Sequence, residues 1–189
     1  AFGMRGHVTI RDTAFAPAAT AEGRSLVPAW RMDPPRMYRL HAEEALTGAE
    51  LGAAAAAHAR GERIVMHAAE TRHRLDLVRS AFGLTTVHLL DQYGLLSERV
   101  LLSHAVHVDD TERDVLARSG ACVIASPAAE MKLADGIAPI TDYIAAGMTV
   151  ALGTDSAVCN NANDMFLESR QLGLTQKLAR GADVLPADR

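Results

Sequence analysis

Two short stretches decide the fold: Arg63-Ile64-Val65-Met66-His67 and, one helical segment later, Val100-Leu101-Leu102-Ser103-His104. Each is an apolar run of the length of a buried strand, and each ends in a histidine. A run of this kind, apolar on both faces, suits a parallel sheet covered by helices better than a half-solvated antiparallel one. The same pattern recurs downstream. Ala121-Cys122-Val123-Ile124-Ala125 and Thr149-Val150-Ala151-Leu152-Gly153 read as two further strands.

Helical segments fill the gaps between them. Thr47 is placed to N-cap a helix running through Ala59, with Gly61 as its stop. Helical periodicity runs from about Leu75 to Tyr93, broken at Gly83 and Gly94. Asp109 or Asp110 can cap a helix over Thr111–Ser119 that Gly120 closes, and Ile140–Ala146 is a helix closed by Gly147. A last long helix is expected from about Asn161 to Ala179. Upstream, Gly6–Ile10 is strand-like, and roughly Ala14 to Met37 reads as irregular, with Pro34-Pro35 barring a regular element. Alternation of short apolar strands with helices of about ten residues predicts βα units and an α/β fold.

Composition bounds the function classes. A chain of 189 residues suffices for one domain with a sizeable core. Its formal charge of −4 offers no electrostatic ground for nucleic acid or an acidic membrane surface as partner. No apolar run approaches the ~20 residues that span a bilayer, and Ala1–Arg5 lacks the blocks of a signal peptide. Cys122 and Cys159 make no disulfide framework. The expectation is a soluble, cytoplasmic protein acting on a small molecule.

Chemistry gathers where the strands run out. His67 is followed by Glu70, His104 sits within Ser103-His104-Ala105-Val106-His107, and Asp155 lies within Leu152-Gly153-Thr154-Asp155. In parallel α/β folds reactive groups collect at the C-terminal ends of strands. Imidazole and carboxylate are the donors zinc takes in catalytic sites that keep a position for water, and a nearby carboxylate can shuttle that water's protons. Each piece alone has a plain alternative, since a strand-terminal histidine is as often a hydrogen-bonded core residue as a ligand. Three in this order, each ending a strand of a repeated pattern, favour a site.

These segments, together with Met131-Lys132-Leu133-Ala134-Asp135-Gly136-Ile137-Ala138-Pro139 and Asn160-Asn161 ahead of Asp164-Met165-Phe166, resemble the amidohydrolase superfamily. Within it they resemble the branch of triazine hydrolases, 8-oxoguanine deaminase and methylthioadenosine/S-adenosylhomocysteine deaminase. The similarity is continuous from about Arg63 to Lys177. It implies a (β/α)8 TIM-barrel fold, present as a partial barrel of about strands 3 to 8, with residues 1–189 forming part of a single barrel domain.

The resemblance also implies roles. His67, from the fifth barrel strand, and Asp155, from the eighth, would bind Zn2+, with Fe2+ or Mn2+ as substitutes. Glu70, His104 and Asp155 would be catalytic: Glu70 passing a proton between water and a ring nitrogen, His104 holding the water or the developing oxygen, Asp155 taking the first proton. His41 would touch substrate, and Glu130, an acid where relatives carry an amide, is either a substrate contact or a solvated loop carboxylate. The implied reaction is deamination of a purine, pyrimidine or triazine, with a homo-oligomer left open.

The family's His-x-His pair is missing, since none of the eight histidines stand two apart. The first strands and the C-terminal part of the family fold are therefore expected to lie outside this sequence. Two other readings stay open: a chlorohydrolase or amide/amidine hydrolase of the same branch, and a truncated, inactive paralogue that binds rather than catalyses. Among the remaining residues, His7, His58, His73 and His88 are expected at surfaces or caps. His107 is expected behind the site, Lys132 as a hydrogen bond to a loop, Cys159 as a buried thiol, and Trp30 with Arg31–Arg36 as a lid.

Overall fold

A computed structural model describes residues 37–39, 43 and 46–186. The strand expected at Gly6–Ile10, the irregular region before Met37, His7, the Trp30 to Arg36 lid and His41 lie outside the described residues.

The apolar runs form five parallel strands whose spatial order is their chain order, β1 to β5. They are β1 (Met37–Arg39), β2 (Arg63–Ala68), β3 (Val100–His104), β4 (Cys122–Ala125) and β5 (Thr149–Leu152). Helices α1 (Gly48–Ala59), α2 (Arg72–Phe82), α3 (Thr86–Gln92), α4 (Asp110–Ser119), α5 (Pro127–Lys132), α6 (Ile140–Ala145), α7 (Ala157–Asn160) and α8 (Met165–Arg180) fill the connections. Side chains alternate across the sheet, and one face makes the core. Ile64, Met66 and Ala68 of β2, Val100 and Leu102 of β3, and Val123 and Ala125 of β4 pack in one cluster with Leu51, Ala54 and Ala57 of α1. The opposite face carries Val65, His67, Leu101, Ser103 and Ile124, all half-buried.

Caps set the helix starts. Thr47 accepts from the Glu50 N–H while Glu50 reaches back to the Thr47 N–H, a complete capping box. Asp109 and Glu112 repeat that device on α4, and the hydroxyl of Thr71 caps α2. Gly83 and Gly120 end α2 and α4 in the left-handed conformation that glycine adopts without steric cost.

The fold departs from the sequence reading in four places. Met37–Arg39 is a strand, too short for a periodic signal. Pro127 at the first helical position starts α5 directly after β4. The long helix expected from Asn161 starts at Met165, because Asn161 and Asn163 turn to φ +71° and +49° and Asp164 supplies the cap; a separate short helix, α7, precedes it. His58 is buried rather than at the surface, its Nε2 paired with the Ser97 hydroxyl at 2.7 Å.

Replacing Asp109 by Ala should cost about 1 kcal/mol, the usual worth of an N-cap, read from urea denaturation midpoints. A second expectation concerns pH. Burial, and then the neighbouring Arg99 cation, hold the His58 pKa below its ordinary 6.5. The unfolded chain therefore binds that proton more tightly, and the stability present above pH 6.5 is lost as pH falls. The melting temperature should fall from pH 7.5 to 5, and His58→Gln should flatten part of that fall.

Candidate active site

β2 and β3 pair with His67 opposite Ser103 and Ala68 opposite His104. Regular alternation would thus send the two imidazoles to opposite faces of the sheet. They meet nevertheless, with ring centroids 5.1 Å apart and planes at 65°. The backbone at His104 makes this possible: its φ is +72°, and Ala105 follows at +47°. Left-handed conformations are uncommon for residues with a Cβ, cost about 1–3 kcal/mol each and gather at functional sites. Ala69, just past β2, and Asp155, just past β5, adopt the same region at +49° and +56°. Three strand ends are bent in one manner, and each bend carries a residue singled out in the sequence.

The bends bring His67, Glu70 and His104 together, with one ligand atom of each within 4.8 Å of the others. Glu70 Oε2 lies 4.0 Å from His67 Nδ1 and 3.9 Å from His104 Nε2. Arg74, in the first turn of α2, ion-pairs with the same oxygen. His104 is 1% exposed, and neither of its ring nitrogens has a hydrogen-bond partner among the described residues. On its other side Nδ1 faces Glu130 Oε1 at 3.7 Å. Glu130 is 3% exposed and accepts from the Ser126 N–H at 2.9 Å, so it is a buried carboxylate and not a solvated one.

Asp155 is half-buried and stands outside this cluster of donors. β5 is three strands from β2, roughly 14 Å at ordinary strand spacing. Only the curvature of a closing barrel would bring those two ends face to face. The loop that holds Asp155 is fastened to α5. Lys132 Nζ donates to the Val158 carbonyl at 2.6 Å and to Asn161 Oδ1 at 2.7 Å, the loop-holding role expected of it. Glu168, fully buried at the start of α8, accepts from the Ala128 N–H at 3.1 Å and from the Asn160 amide. Cys159 is half-buried, its sulfur facing the Ser156 hydroxyl at 3.1 Å.

A cavity of about 580 Å³ opens beside the cluster, lined by the first turn of α2, His107 and the Leu133–Asp135 loop. Asp135 is 8% exposed with Oδ2 unpaired among the described residues, and burial raises its pKa above the ordinary range. His107 Nε2 pairs with the Asp135 carbonyl at 2.8 Å, and burial lowers its pKa. Arg74, Asp135, Glu168 and Glu43 went unread as parts of the site. For Arg74 the only local signal is an acid four residues ahead of it in sequence, Glu70, which lies before the Thr71 cap of α2. The others are ordinary acids whose burial depends on distant segments.

The profile of the amidohydrolase family matches residues 15–189. The chain is 40% identical over 123 residues to the 5-methylthioadenosine/S-adenosylhomocysteine deaminase of Desulforudis audaxviator, covering 65% of this chain and 29% of that protein. It is 44% identical over 116 residues to the protein of the same name from Haloarcula marismortui, covering 61% and 27%. An adenosine deaminase from Xanthomonas campestris with bound zinc superposes with TM-score 0.76 at 27% identity, over 84% of this chain and 37% of its own. An atrazine chlorohydrolase from Arthrobacter aurescens complexed with zinc does so with TM-score 0.66 at 27% identity, over 71% and 30%. The chain spans less than a third of the length of the curated relatives it matches. Its five-stranded parallel sheet is an arc of a (β/α)8 barrel.

The bend after β5 gives a stability test. A Cβ added at Gly153 would stand 2.9 Å from Ile124 Cγ2 and 3.5 Å from Ser126 Oγ. Gly153→Ala should lower stability by about 1–3 kcal/mol, the usual cost of overpacking, measured by urea denaturation.

Proposed function

The chain belongs to the amidohydrolase family, and from that premise we propose that it carries part of the catalytic centre of a metal-dependent aminohydrolase acting on a nitrogen heterocycle. One observation carries the reading. His67, Glu70 and His104 converge from two strand ends, and the buried ring of His104 has both nitrogens without hydrogen bonds among the described residues. A buried polar atom left so is costly, and a site that takes up metal, water and substrate removes that cost. The donor types fit zinc.

His67 and Asp155 are the residues that would hold the ion. When bound, it supplies Lewis acidity and makes water acidic enough to attack near neutral pH. The chain's own groups do the rest. Glu70, within 4 Å of both imidazoles, moves a proton from the attacking water to a ring nitrogen of the substrate. His104 faces the oxygen that gains charge as the ring carbon becomes tetrahedral, and donates to it. Glu130 Oε1 stands 3.7 Å from Nδ1 on the far side of His104, within ion-pair range of a protonated ring. Asp155 takes the water's first proton and gives it to the amino group, which leaves as ammonia, while the second proton is the one Glu70 carries to the ring nitrogen. Glu70 favours deamination over chloride displacement, because protonating a ring nitrogen prepares an amine to leave.

The names of the relatives support an aminated purine as substrate class. His41 and Glu130 are the proposed substrate contacts, Glu130 from its place beside His104. Two free cysteines fit a reducing, cytoplasmic setting.

Elemental analysis of the full product of the gene tests this. About one zinc per chain is expected, lost in His67→Ala and in Asp155→Ala. Glu70→Gln should keep the zinc and cut ammonia release from aminopurines by roughly 10²–10⁴-fold. A zinc-replete protein that holds no metal would sink the proposal.

A further inference from the structure

Glu43 has no part in the chemistry proposed above, yet it is 3% exposed. It lies between β1 and α1 and turns Oε1 onto two donors from elsewhere in the chain. One is the backbone N–H of Ala69, at 2.8 Å; the other is the hydroxyl of Thr86 at the start of α3. A carboxylate buried this far needs such donors, so the contact is not surface filling.

What the contact holds is specific. Ala69 stands between His67 and Glu70 and is the left-handed residue of that turn, at φ +49°. The β3 side ties the turn through backbone alone: the Ala105 N–H donates to the Ala68 carbonyl and the His107 N–H to the Ala69 carbonyl, each at 2.9 Å. The β1 side ties it through the Glu43 side chain. A left-handed alanine persists only where its surroundings over-determine it, and Glu43 supplies the hold that the backbone does not.

We propose that Glu43 is a positioning residue: by pinning the Ala69 amide, it keeps His67 and Glu70 at the spacing of a shared metal and proton-transfer site. The inference rests on the function proposed above, and it deepens that reading by one residue. Partners behind metal ligands typically change affinity by about 10–100-fold when removed.

The test uses the full gene product, with zinc affinity measured by chelator competition and amide exchange measured on the peptide spanning residues 67–71. Glu43→Gln keeps an acceptor and should bind zinc within about 3-fold of the original. Glu43→Leu removes it, and Glu43→Asp retracts it by one methylene. Both should weaken zinc binding by about 10–100-fold and speed exchange at Ala69. Thr86→Val leaves the Ala69 bond in place and should lower only the melting temperature. A folded Glu43→Leu or, should that variant not fold, a Glu43→Asp with unchanged zinc affinity and exchange overturns the proposal. If the unmutated protein holds no zinc, the function proposed above fails on its own account. Exchange at Ala69 then decides for Glu43, faster in the variants if it pins the turn and unchanged if it does not.

Discussion

Everything at the site depends on a broken alternation between β2 and β3. Their register opposes Ala68 to His104, and a regular strand would bury the second imidazole among the helices, beside Leu102. The left-handed turn at His104 and Ala105 redirects it onto the face of His67. Such a turn is unfavourable in isolation, and the surroundings hold it. The Tyr143 hydroxyl, from α6, donates to the Ala105 carbonyl, and the Ala105 N–H donates to Ala68. Tyr143 is fully buried, and burial drives its phenol pKa upward. A core tyrosine thus holds the backbone where an alanine and a histidine would relax.

The framework behind the site is made of buried carboxylates, each answered by backbone N–H groups. Glu43 takes Ala69, Glu130 takes Ser126, Glu112 takes Asp109 and Glu168 takes Ala128. All four bonds fall at places where the chain leaves a strand or enters a helix, positions whose N–H groups lack regular partners. Charge-assisted bonds of this kind are stronger than neutral ones. Glu43 and Glu168 each hold a second donor as well, Thr86 and Asn160, and a carboxylate between two donors has little freedom to turn.

Much of this was legible in the sequence where the signal is local. The Thr47 cap, β3 from Val100 to His104 and the glycine stops at Gly83 and Gly120 need only neighbouring residues to be recognised, and the structure places them as read. That His67 and His104 close their strands, with Glu70 just beyond, was readable; that the two imidazoles meet was not, because it depends on the left-handed turn at His104. The start of α8 at Met165 instead of Asn161 was not legible either, because it depends on Asn161 and Asn163 entering the left-handed region, which asparagine permits without requiring. The buried states of Glu130 and His58 depend on partners as far off in sequence as His104 and Ser97. No window of sequence contains both ends of such a contact.

The strand order carries a consequence for how the chain acquires this structure. Because spatial order equals chain order, each new βα unit docks beside the one made just before it. Folding can therefore advance with synthesis, from the amino end onward, without waiting for a distant partner. Every step buries one open sheet edge and exposes the next, so the growing arc always presents a single fresh row of unpaired backbone groups. A ribosome adding residues faster than the edge is covered would leave that row open to a neighbouring nascent chain. Translation speed is then itself a variable in the yield of folded protein.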